Sequence, residues 1–215
     1  MLKYEILILG DLATNCYLVW DEDTKECFVI DPADDGVAIS EEISQKGLKP
    51  VGILLTHGHF DHALGALDLK LIYNIPLYCN NLDFFLLDRQ NKTATHFLKH
   101  NVKIPDIKKI DVDLEKVEKI KLGSNVLEVI KTPGHTPGSV CFLNPPLSED
   151  VKHLLFSGDT LFKGLRGRTD FKYASTEKIF ESLKKLFELP EDTVVLSGHG
   201  EETDIETESR RYIKN

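Results

Sequence analysis

The chain has 215 residues, of which 41% are hydrophobic and 28% charged, and its formal net charge is −9. This length suffices for one compact domain over residues 1–215, and the acidic balance argues against a nucleic-acid surface, because polyanion binding requires a basic patch. The N-terminal stretch is too short and too charged for a secretory signal, and no apolar run reaches membrane-spanning length. We therefore expect a cytoplasmic monomer or homodimer that acts on a small molecule, with neither nucleic acid nor membrane as partner.

The first third of the sequence predicts strands and then a helix. The predicted strands cover residues 3–9, 16–20 and 27–31, and a polar turn between the last two is typical of a hairpin. Asp31 ends the hairpin just before a proline, where its carboxylate either orients a metal-bound histidine or forms the turn. Residues 37–46 have apolar side chains at helical spacing ahead of Gly47, which predicts a helix covering one sheet face.

A dense group of metal donors follows the next predicted strand. Residues 51–56 are a short apolar run that leads into Thr-His-Gly-His-Phe-Asp-His at residues 56–62. Gly58 lets the backbone turn, so the donors can converge in a loop ahead of a helix predicted over residues 61–69. Convergent imidazole and carboxylate donors are what Zn²⁺ and similar ions require. A polar loop that is histidine-rich by chance is disfavoured, because the donors are dense and directly follow a strand.

The region from Pro76 to Pro105 predicts a strand followed by helical and loop pieces. Within it, His96 and His100 lie four residues apart, a spacing that can bind metal on a helix. No suitable acidic donor is near in the sequence, so we interpret them as part of a solvated face. His153, inside a later predicted strand, is likewise left without a role.

Four cysteines occur singly in apolar, strand-like segments and form no CxxC pair: Cys16, Cys27, Cys79 and Cys141. Buried thiols that behave as small hydrophobic side chains are the default for such positions. A catalytic cysteine would need a neighbouring base and electropositive surroundings, which the sequence does not indicate. We assign them no chemistry.

Three further predicted strands end in a glycine-flanked histidine or acid. The most clearly marked of them, residues 126–130, is the second strand of a hairpin that begins at Lys116. The donors at these strand ends are His135 in Thr-Pro-Gly-His-Thr-Pro-Gly, Asp159 in Ser-Gly-Asp-Thr, and His199 in Ser-Gly-His-Gly. Taken singly, a histidine such as His135 or His199 is more often an ordinary loop residue than a metal ligand. Together with the first motif, four strand ends carry seven potential ligands, which indicates a metal site.

In this order, T-H-G-H-F-D-H, T-P-G-H-T-P-G, G-D-T-L-F and S-G-H-G resemble the motifs of the metallo-β-lactamase superfamily. Within that superfamily the sequence is most similar to the short, glyoxalase II-like (hydroxyacylglutathione hydrolase-like) enzymes. The resemblance covers nearly the whole chain and implies an α/β fold, the four-layer αββα sandwich. It also implies two divalent ions per chain: one bound by His57, His59 and His135, the second by Asp61, His62 and His199, with Asp159 bridging both.

The implied ligand set predicts a metal-dependent hydrolase that uses a dinuclear-metal-bound hydroxide, because paired ions lower the pKa of a shared water. No serine or cysteine nucleophile is needed. Asp61 and Asp159 are the predicted catalytic residues, of which Asp61 also orients the nucleophile. Nitrogen and oxygen donors alone do not identify the metal; zinc is the first choice, with iron and manganese as alternatives.

The resemblance favours a small thioester such as S-lactoylglutathione as substrate. Members that bind glutathione well carry a helical region after the last metal histidine, whereas only residues 200–215 follow His199 here. We therefore expect that glutathione-binding region to be lacking. The alternatives are a mononuclear Fe(II) persulfide dioxygenase, which shares the Gly-Arg-Thr-Asp-Phe element, or a hydrolase of another ester, a lactone or a phosphodiester.

A glycine-rich basic loop follows Asp159 in this otherwise acidic chain. Its cations Lys163, Arg166 and Arg168 are predicted to contact an anionic part of the substrate. The alternative is that Arg168 and Asp170 pin the loop structurally. The amphipathic segment 175–189 then predicts a helix capped by Ser175 or Thr176.

Overall fold

The computed structural model describes residues 1–99, 103–146, 148 and 152–213. The strands are β1 (Leu2–Leu9), β2 (Thr14–Asp21), β3 (Glu26–Ile30), β4 (Lys49–Leu54), β5 (Leu77–Cys79), β6 (Val112–Asp113), β7 (Lys119–Leu122), β8 (Asn125–Lys131), β9 (Val140–Asn144), β10 (Leu154–Gly158), β11 (Leu161–Phe162), β12 (Leu165–Arg166), β13 (Val194–Ser197) and β14 (Thr203–Asp204). The helices are α1 (Gly36–Gln45), α2 (Ala66–Tyr73), α3 (Phe84–Leu87), α4 (Gln90–Leu98), α5 (Thr176–Leu186) and α6 (Ile205–Ile213).

Two six-stranded sheets form the centre of the structure. The first has the order β1-β2-β3-β4-β5-β6, with antiparallel pairing up to β3 and parallel pairing beyond it. The second has the order β14-β13-β10-β9-β8-β7 and is antiparallel except where β10 pairs with β13. A parallel pair needs a long crossover, and α1 and α5 lie in such connections.

Alternating side chains bury both faces of the first sheet. In β2, Tyr17 and Val19 pack between the two sheets, where the buried aromatics Phe142 and Phe156 also lie, whereas Cys16 and Leu18 face the opposite way. Buried residues of α1 and α2 cover that outer face. Residues of α5 and α6 cover the outer face of the second sheet. The layers are therefore helices, sheet, sheet, helices, and the predicted αββα sandwich of the α/β class is confirmed.

Most predicted elements are present with shifted ends. The hairpin turns at Gly123 and Ser124 as predicted, and Ser175 caps α5 by accepting the backbone N–H of Lys178 at 3.2 Å. The prediction of a helix over residues 61–69 is wrong about where the helix begins. Only one turn of 3-10 helix forms at Phe60–His62, and the N–H of Gly65 then donates to the carbonyl of Pro32 at 2.8 Å, so α2 begins at Ala66.

Among the described residues, every helix is too short or too polar to cross a lipid bilayer.

Candidate metal centre

The seven predicted donors come from loops at one edge of the sandwich. His57, His59, Asp61 and His62 follow β4, while His135, Asp159 and His199 follow β8, β10 and β13. Because β8, β10 and β13 run in the same direction, their carboxyl ends lie at the same edge of the second sheet. Backbone hydrogen bonds join the sheets there, from Asn15 to the Gly198 carbonyl at 2.8 Å and from Val140 to the Thr56 carbonyl at 2.8 Å.

The first donor group consists of His57, His59, His135 and one oxygen of Asp159. Nδ1 of His59 lies 3.0 Å from Nε2 of His57 and 3.0 Å from Nε2 of His135. Nε2 of His135 is 3.4 Å from Oδ2 of Asp159. All four ligand atoms fall within 4.8 Å of one another, so together they can hold one metal ion.

The second donor group consists of Asp61, His62, His199 and the other oxygen of Asp159. Oδ2 of Asp61 lies 3.6 Å from Nε2 of His62 and 3.4 Å from Nε2 of His199. Oδ1 of Asp159 lies 3.4 Å from Nε2 of His62 and 3.7 Å from Nε2 of His199. Asp159 therefore presents one oxygen to each group, as a bridging carboxylate would.

The chemistry of these atoms fits a metal ion. Within the described part of the chain, Nε2 of His62 and Oδ1 of Asp159 are buried with no hydrogen-bond partner, which is costly unless a further group binds them. Burial, reinforced by neighbouring imidazoles, lowers the pKa of His59 to about 3 and that of His57 well below its usual range. Both rings are thus neutral donors. Although burial acts in the opposite direction, the neighbouring His62 imidazole holds the pKa of Asp159 well below its usual range.

Each histidine uses its other ring nitrogen in a hydrogen bond that fixes the ring. The partners are Thr56 Oγ1 for His57 (3.1 Å), Tyr173 OH for His59 (2.8 Å), Asp31 Oδ2 for His62 (2.9 Å), the Arg168 carbonyl for His135 (2.9 Å) and the Leu12 carbonyl for His199 (3.1 Å). Such outer contacts set the tautomer and the direction of the lone pair that faces the metal. These contacts orient all five rings.

Asp31 supports two of these rings, His62 directly and His57 through Thr56. Its carboxylate accepts the Thr56 N–H at 2.7 Å and the Thr56 hydroxyl at 2.6 Å, and it also contacts His62. Its backbone has φ of +50°, a conformation that is strained for a residue with a side chain. Of the two roles that the sequence left open, orientation of a metal-site histidine agrees with these contacts.

Asp83 is a part of the centre that the sequence analysis missed. This buried carboxylate accepts the N–H of Gly58 at 2.9 Å, the Thr136 hydroxyl at 2.6 Å and the N–H of Gly138 at 2.7 Å. It therefore ties the His57–His62 loop to the loop that carries His135. The available signal was weak, since Asp83 lies four residues beyond the end of β5 and has no glycine beside it.

A cleft of about 310 Å³ opens above the two donor groups. Its floor contains the donors His59, Asp61, His135, Asp159 and His199, and its walls include Leu12, Phe60, Thr93, Phe97, Arg168, Phe171 and Tyr173. A more open hollow of about 630 Å³ is lined by the basic loop, including Arg166, and by Tyr212, and contains none of the seven donors. The cleft, rather than the larger hollow, is therefore the place where substrate chemistry can occur.

Of the three cations predicted to contact the substrate, one lines the cleft and two do not. Arg168 lines the cleft, which agrees with a substrate contact, and forms a bidentate ion pair with Asp170, which agrees with a structural role in the loop. Lys163 pairs with Glu201 at 2.5 Å and lies outside the cleft lining. Arg166 packs its guanidinium 4.8 Å from the ring centre of Phe180 and borders the hollow instead.

The remaining histidines and the cysteines lie apart from the donor groups. His96 is exposed and His153 is half-buried, and neither belongs to a group of potential ligands. His100 lies outside the described residues. All four cysteines are buried free thiols, as predicted, and burial raises the pKa of Cys27 to about 12 and that of Cys141 to about 11.

The family described as "Metallo-beta-lactamase superfamily" matches residues 9–199 of this chain. The chain therefore belongs to the metallo-β-lactamase superfamily, and the family predicted from the motifs is confirmed. Its fold, its potential metal ligands and its relatives define it as a metallo-hydrolase.

Two curated relatives align with almost the whole chain. "Probable metallo-hydrolase YqgX" of Bacillus subtilis is 37% identical over 96% of this chain and 94% of its own length. "Hydroxyacylglutathione hydrolase GloC" of Haemophilus influenzae is 33% identical over 97% of this chain and 96% of its own length.

Two solved structures are similar over comparable lengths. The BLEG-1 B3 metallo-β-lactamase has a TM-score of 0.86 at 32% identity and covers 97% of both chains. TTHA1623, crystallised in a di-iron-bound form, has a TM-score of 0.82 at 33% identity, with 96% of this chain and 98% of its own covered.

Proposed function

We propose that this protein is a thioester hydrolase that works with two divalent metal ions per chain. The observation that carries the proposal is the position of Asp159, whose Oδ2 faces one donor group and whose Oδ1 faces the other. His57, His59 and His135 would hold one ion, and Asp61, His62 and His199 would hold the second. Zinc is the first choice of metal, although the di-iron form of TTHA1623 keeps iron as an alternative.

When bound, two such ions supply a water of lowered pKa and polarise the substrate carbonyl. The chain's own residues contribute orientation. Although burial acts in the opposite direction, His62, His199 and His59 together lower the pKa of the Asp61 carboxyl, so it is ionised. Its Oδ2 faces the second donor group and also lies 3.5 Å from the Thr14 hydroxyl, which leaves Oδ1 to accept a hydrogen bond from the attacking water. Thr14 and His199 thereby fix the direction of that acceptor.

The thioester class is supported by the similarity to a hydroxyacylglutathione hydrolase along nearly the full length of both proteins. The geometry of the cleft adds a limit on affinity. Arg168 is the cationic side chain among the described residues that line it, and its charge is already paired with Asp170. The carboxylates of a glutathione thioester would therefore find no free cation in the described lining.

We expect the metal-replete protein to hydrolyse S-lactoylglutathione with weak saturation, and to handle thioesters of smaller thiols about as well. Binding energy from the remote part of a substrate supports both affinity and rate, so its loss raises KM and can lower kcat. Steady-state kinetics across a thiol series tests this. A low-micromolar KM for the glutathione thioester alone, lost when the thiol is shortened, would contradict it.

A panel of activity assays separates thioester hydrolysis from two other candidate functions. The similarity to the BLEG-1 β-lactamase makes a β-lactam a second candidate substrate. A mononuclear Fe(II) persulfide dioxygenase would not need the second donor group, whose Asp61 and His199 atoms lie 3.4 Å apart, and this favours hydrolysis. Thioester, lactone, phosphodiester and β-lactam assays, run beside oxygen uptake with a persulfide, distinguish these classes. Oxygen uptake without hydrolysis of any ester would overturn the proposal.

We propose in addition that the chain forms one domain and works in the cytoplasm as a monomer or homodimer. The length and composition of the chain support this proposal. The exclusion of a nucleic-acid partner rests on the net charge of −9.

A further inference from the structure

We propose that the cleft selects thioesters by an aromatic or other apolar, uncharged group and gains little from a glutathione moiety. This inference rests on the proposed function, because it names the substrate class of that same site. The observation behind it is that aromatic side chains line the cleft beside the donors, and that the described wall residues include no unpaired charged side chain.

Two stacked aromatic pairs contribute to the cleft walls. The rings of Phe60 and Phe97 lie 6.0 Å apart at an interplanar angle of 25°, and those of Phe171 and Tyr173 lie 5.3 Å apart at 13°. Each of these four side chains lines the cleft, together with Leu12. Phe97 is 47% exposed although it is a large apolar side chain. An apolar group bound in the cleft would therefore remove aromatic surface from water.

The polar groups of the walls are already engaged. Nε and Nη2 of Arg168 donate to the two carboxylate oxygens of Asp170 at 2.6 and 2.5 Å, while its guanidinium lies 4.6 Å from the ring centre of Phe171. Tyr173 OH is the hydrogen-bond partner of His59. Arg168 therefore adds a flat, ion-paired guanidinium to the aromatic wall, and a substrate carboxylate would have to compete with Asp170 for it.

The size and charge of the site agree with this preference. A volume of about 310 Å³ lies near the lower end of the range of roughly 300–1,000 Å³ typical of small-molecule pockets. It suits a thioester with one ring-sized group, so a charged tripeptide would remain largely in solvent. Carboxylates drawn into the cleft would lose hydration, and the described wall residues offer them no unpaired cationic side chain.

The test is a two-by-two set of substrates: acetyl and phenylacetyl thioesters of N-acetylcysteamine and of glutathione. On either thiol, we expect kcat/KM to be roughly tenfold or more higher for phenylacetyl than for acetyl, because one more ring is buried. The glutathione moiety should change kcat/KM by less than about threefold. A phenyl gain below about threefold, or a glutathione gain of about tenfold, would overturn the proposal.

Phe97→Ala supplies the structural test, because this ring lines the cleft and is 47% exposed, so part of its surface is open to a bound group. It should reduce kcat/KM for the phenylacetyl thioesters roughly tenfold and leave the acetyl thioesters nearly unchanged. Phe180→Ala is the matched control, since Phe180 is 42% exposed, lies on α5 and does not line the cleft. Equal effects of the two variants, or no effect of Phe97→Ala, would contradict the assignment of the aromatic wall.

A binding measurement keeps this inference separate from the proposed function. S-benzyl-N-acetylcysteamine, a thioether that cannot be hydrolysed, is titrated into the metal-replete protein by calorimetry beside S-benzylglutathione. Comparable affinities, both reduced by Phe97→Ala and unaffected by Phe180→Ala, support the apolar cleft even if none of the thioesters is hydrolysed. Hydrolysis of the thioesters with tighter binding of S-benzylglutathione would instead retain the proposed function and refute the inference.

Discussion

At the scale of single residues, the bridging position of Asp159 is the feature on which the metal centre depends. Each of its oxygens lies within 3.7 Å of a histidine nitrogen of one donor group. A carboxylate in this position can neutralise and space two cations at once. Removal of its oxygens should therefore affect both groups, whereas removal of a peripheral histidine should affect neither.

We expect Asp159→Ala to reduce hydrolysis by more than about a hundredfold and to loosen both ions, because loss of a ligand should exceed the 10–100-fold effect typical of outer-shell changes. His153→Ala and His96→Ala serve as controls and should leave metal content and activity nearly unchanged. Elemental analysis and steady-state rates provide the readouts. Loss of metal in either control would show that the histidines are wrongly divided.

Asp83 is expected to act as a positioning residue, since it touches both ligand loops but neither of the donor groups that would hold metal. In Asp83→Asn, a single carbonyl oxygen replaces the carboxylate that accepts from Gly58, Thr136 and Gly138. Metal affinity should fall about 10–100-fold. Asp113→Asn is the control, because Asp113 also accepts two backbone N–H groups, from Asn81 and Glu115, away from the centre. Competition with a chelator measures the difference, and equal affinities in the two variants would contradict this role.

At the scale of elements, the turn between β2 and β3 is joined to the β7–β8 hairpin by one buried carboxylate. Asp21 accepts hydrogen bonds from the Thr24 N–H at 2.9 Å, the Ser124 hydroxyl at 2.9 Å and the Asn125 side-chain amide at 2.8 Å. Gly123 has φ of +57°, and a Cβ there would lie 2.4 Å from the Asp21 carboxyl carbon, so this close approach requires glycine. The contact connects strand ends of the two sheets.

The stabilisation from Asp21 should depend on pH. Hydrogen bonding, led by the Thr24 N–H and opposed by burial, holds the pKa of this carboxyl below its usual range in the folded protein. Because the folded-state pKa is the lower one, the stabilisation is complete above the unfolded-state pKa of about 3.9 and is lost as the pH falls below it. We expect Asp21→Asn to cost about 1–3 kcal/mol at pH 7.

Urea denaturation of the wild type and of Asp21→Asn at several pH values measures this. The difference in unfolding free energy should be constant between about pH 5 and 7 and should shrink below about pH 4. A difference that is independent of pH down to about pH 3 would show that Asp21 does not titrate in this way.

At the scale of the whole molecule, the proposed centre joins the two sheets. The loop after β4 belongs to the first sheet, whereas the strands before His135, Asp159 and His199 belong to the second. Each donor group takes ligands from both sheets, so metal binding and docking of the sheets should be coupled.

We predict two ions per chain, because seven donors divide into two groups that share Asp159. Elemental analysis under metal excess should give a stoichiometry near two for the native protein and near one for His199→Ala. His153→Ala, which changes a histidine outside the centre, should remain near two. A native stoichiometry near one that His199→Ala leaves unchanged would contradict the two-metal proposal.

The chemistry of the donors and the family were predictable from the sequence, because their signals are local. In this chain a short apolar run followed by a glycine-flanked histidine or acid marks the ends of β4, β8, β10 and β13. The order of these motifs then indicated the superfamily, and with it the αββα layers. None of these inferences needed knowledge of which strands are neighbours.

Which residues support the donors, and which face the substrate, could be seen only once the chain was folded. Asp83 contacts residues 25, 53 and 55 positions away in the sequence, and such pairings arise from the packing of loops rather than from local composition. The same holds for the basic loop, in which Arg168 lines the cleft while Lys163 and Arg166 do not. Side-chain direction in a loop depends on the partners that the fold brings within reach, here Asp170, Glu201 and Phe180.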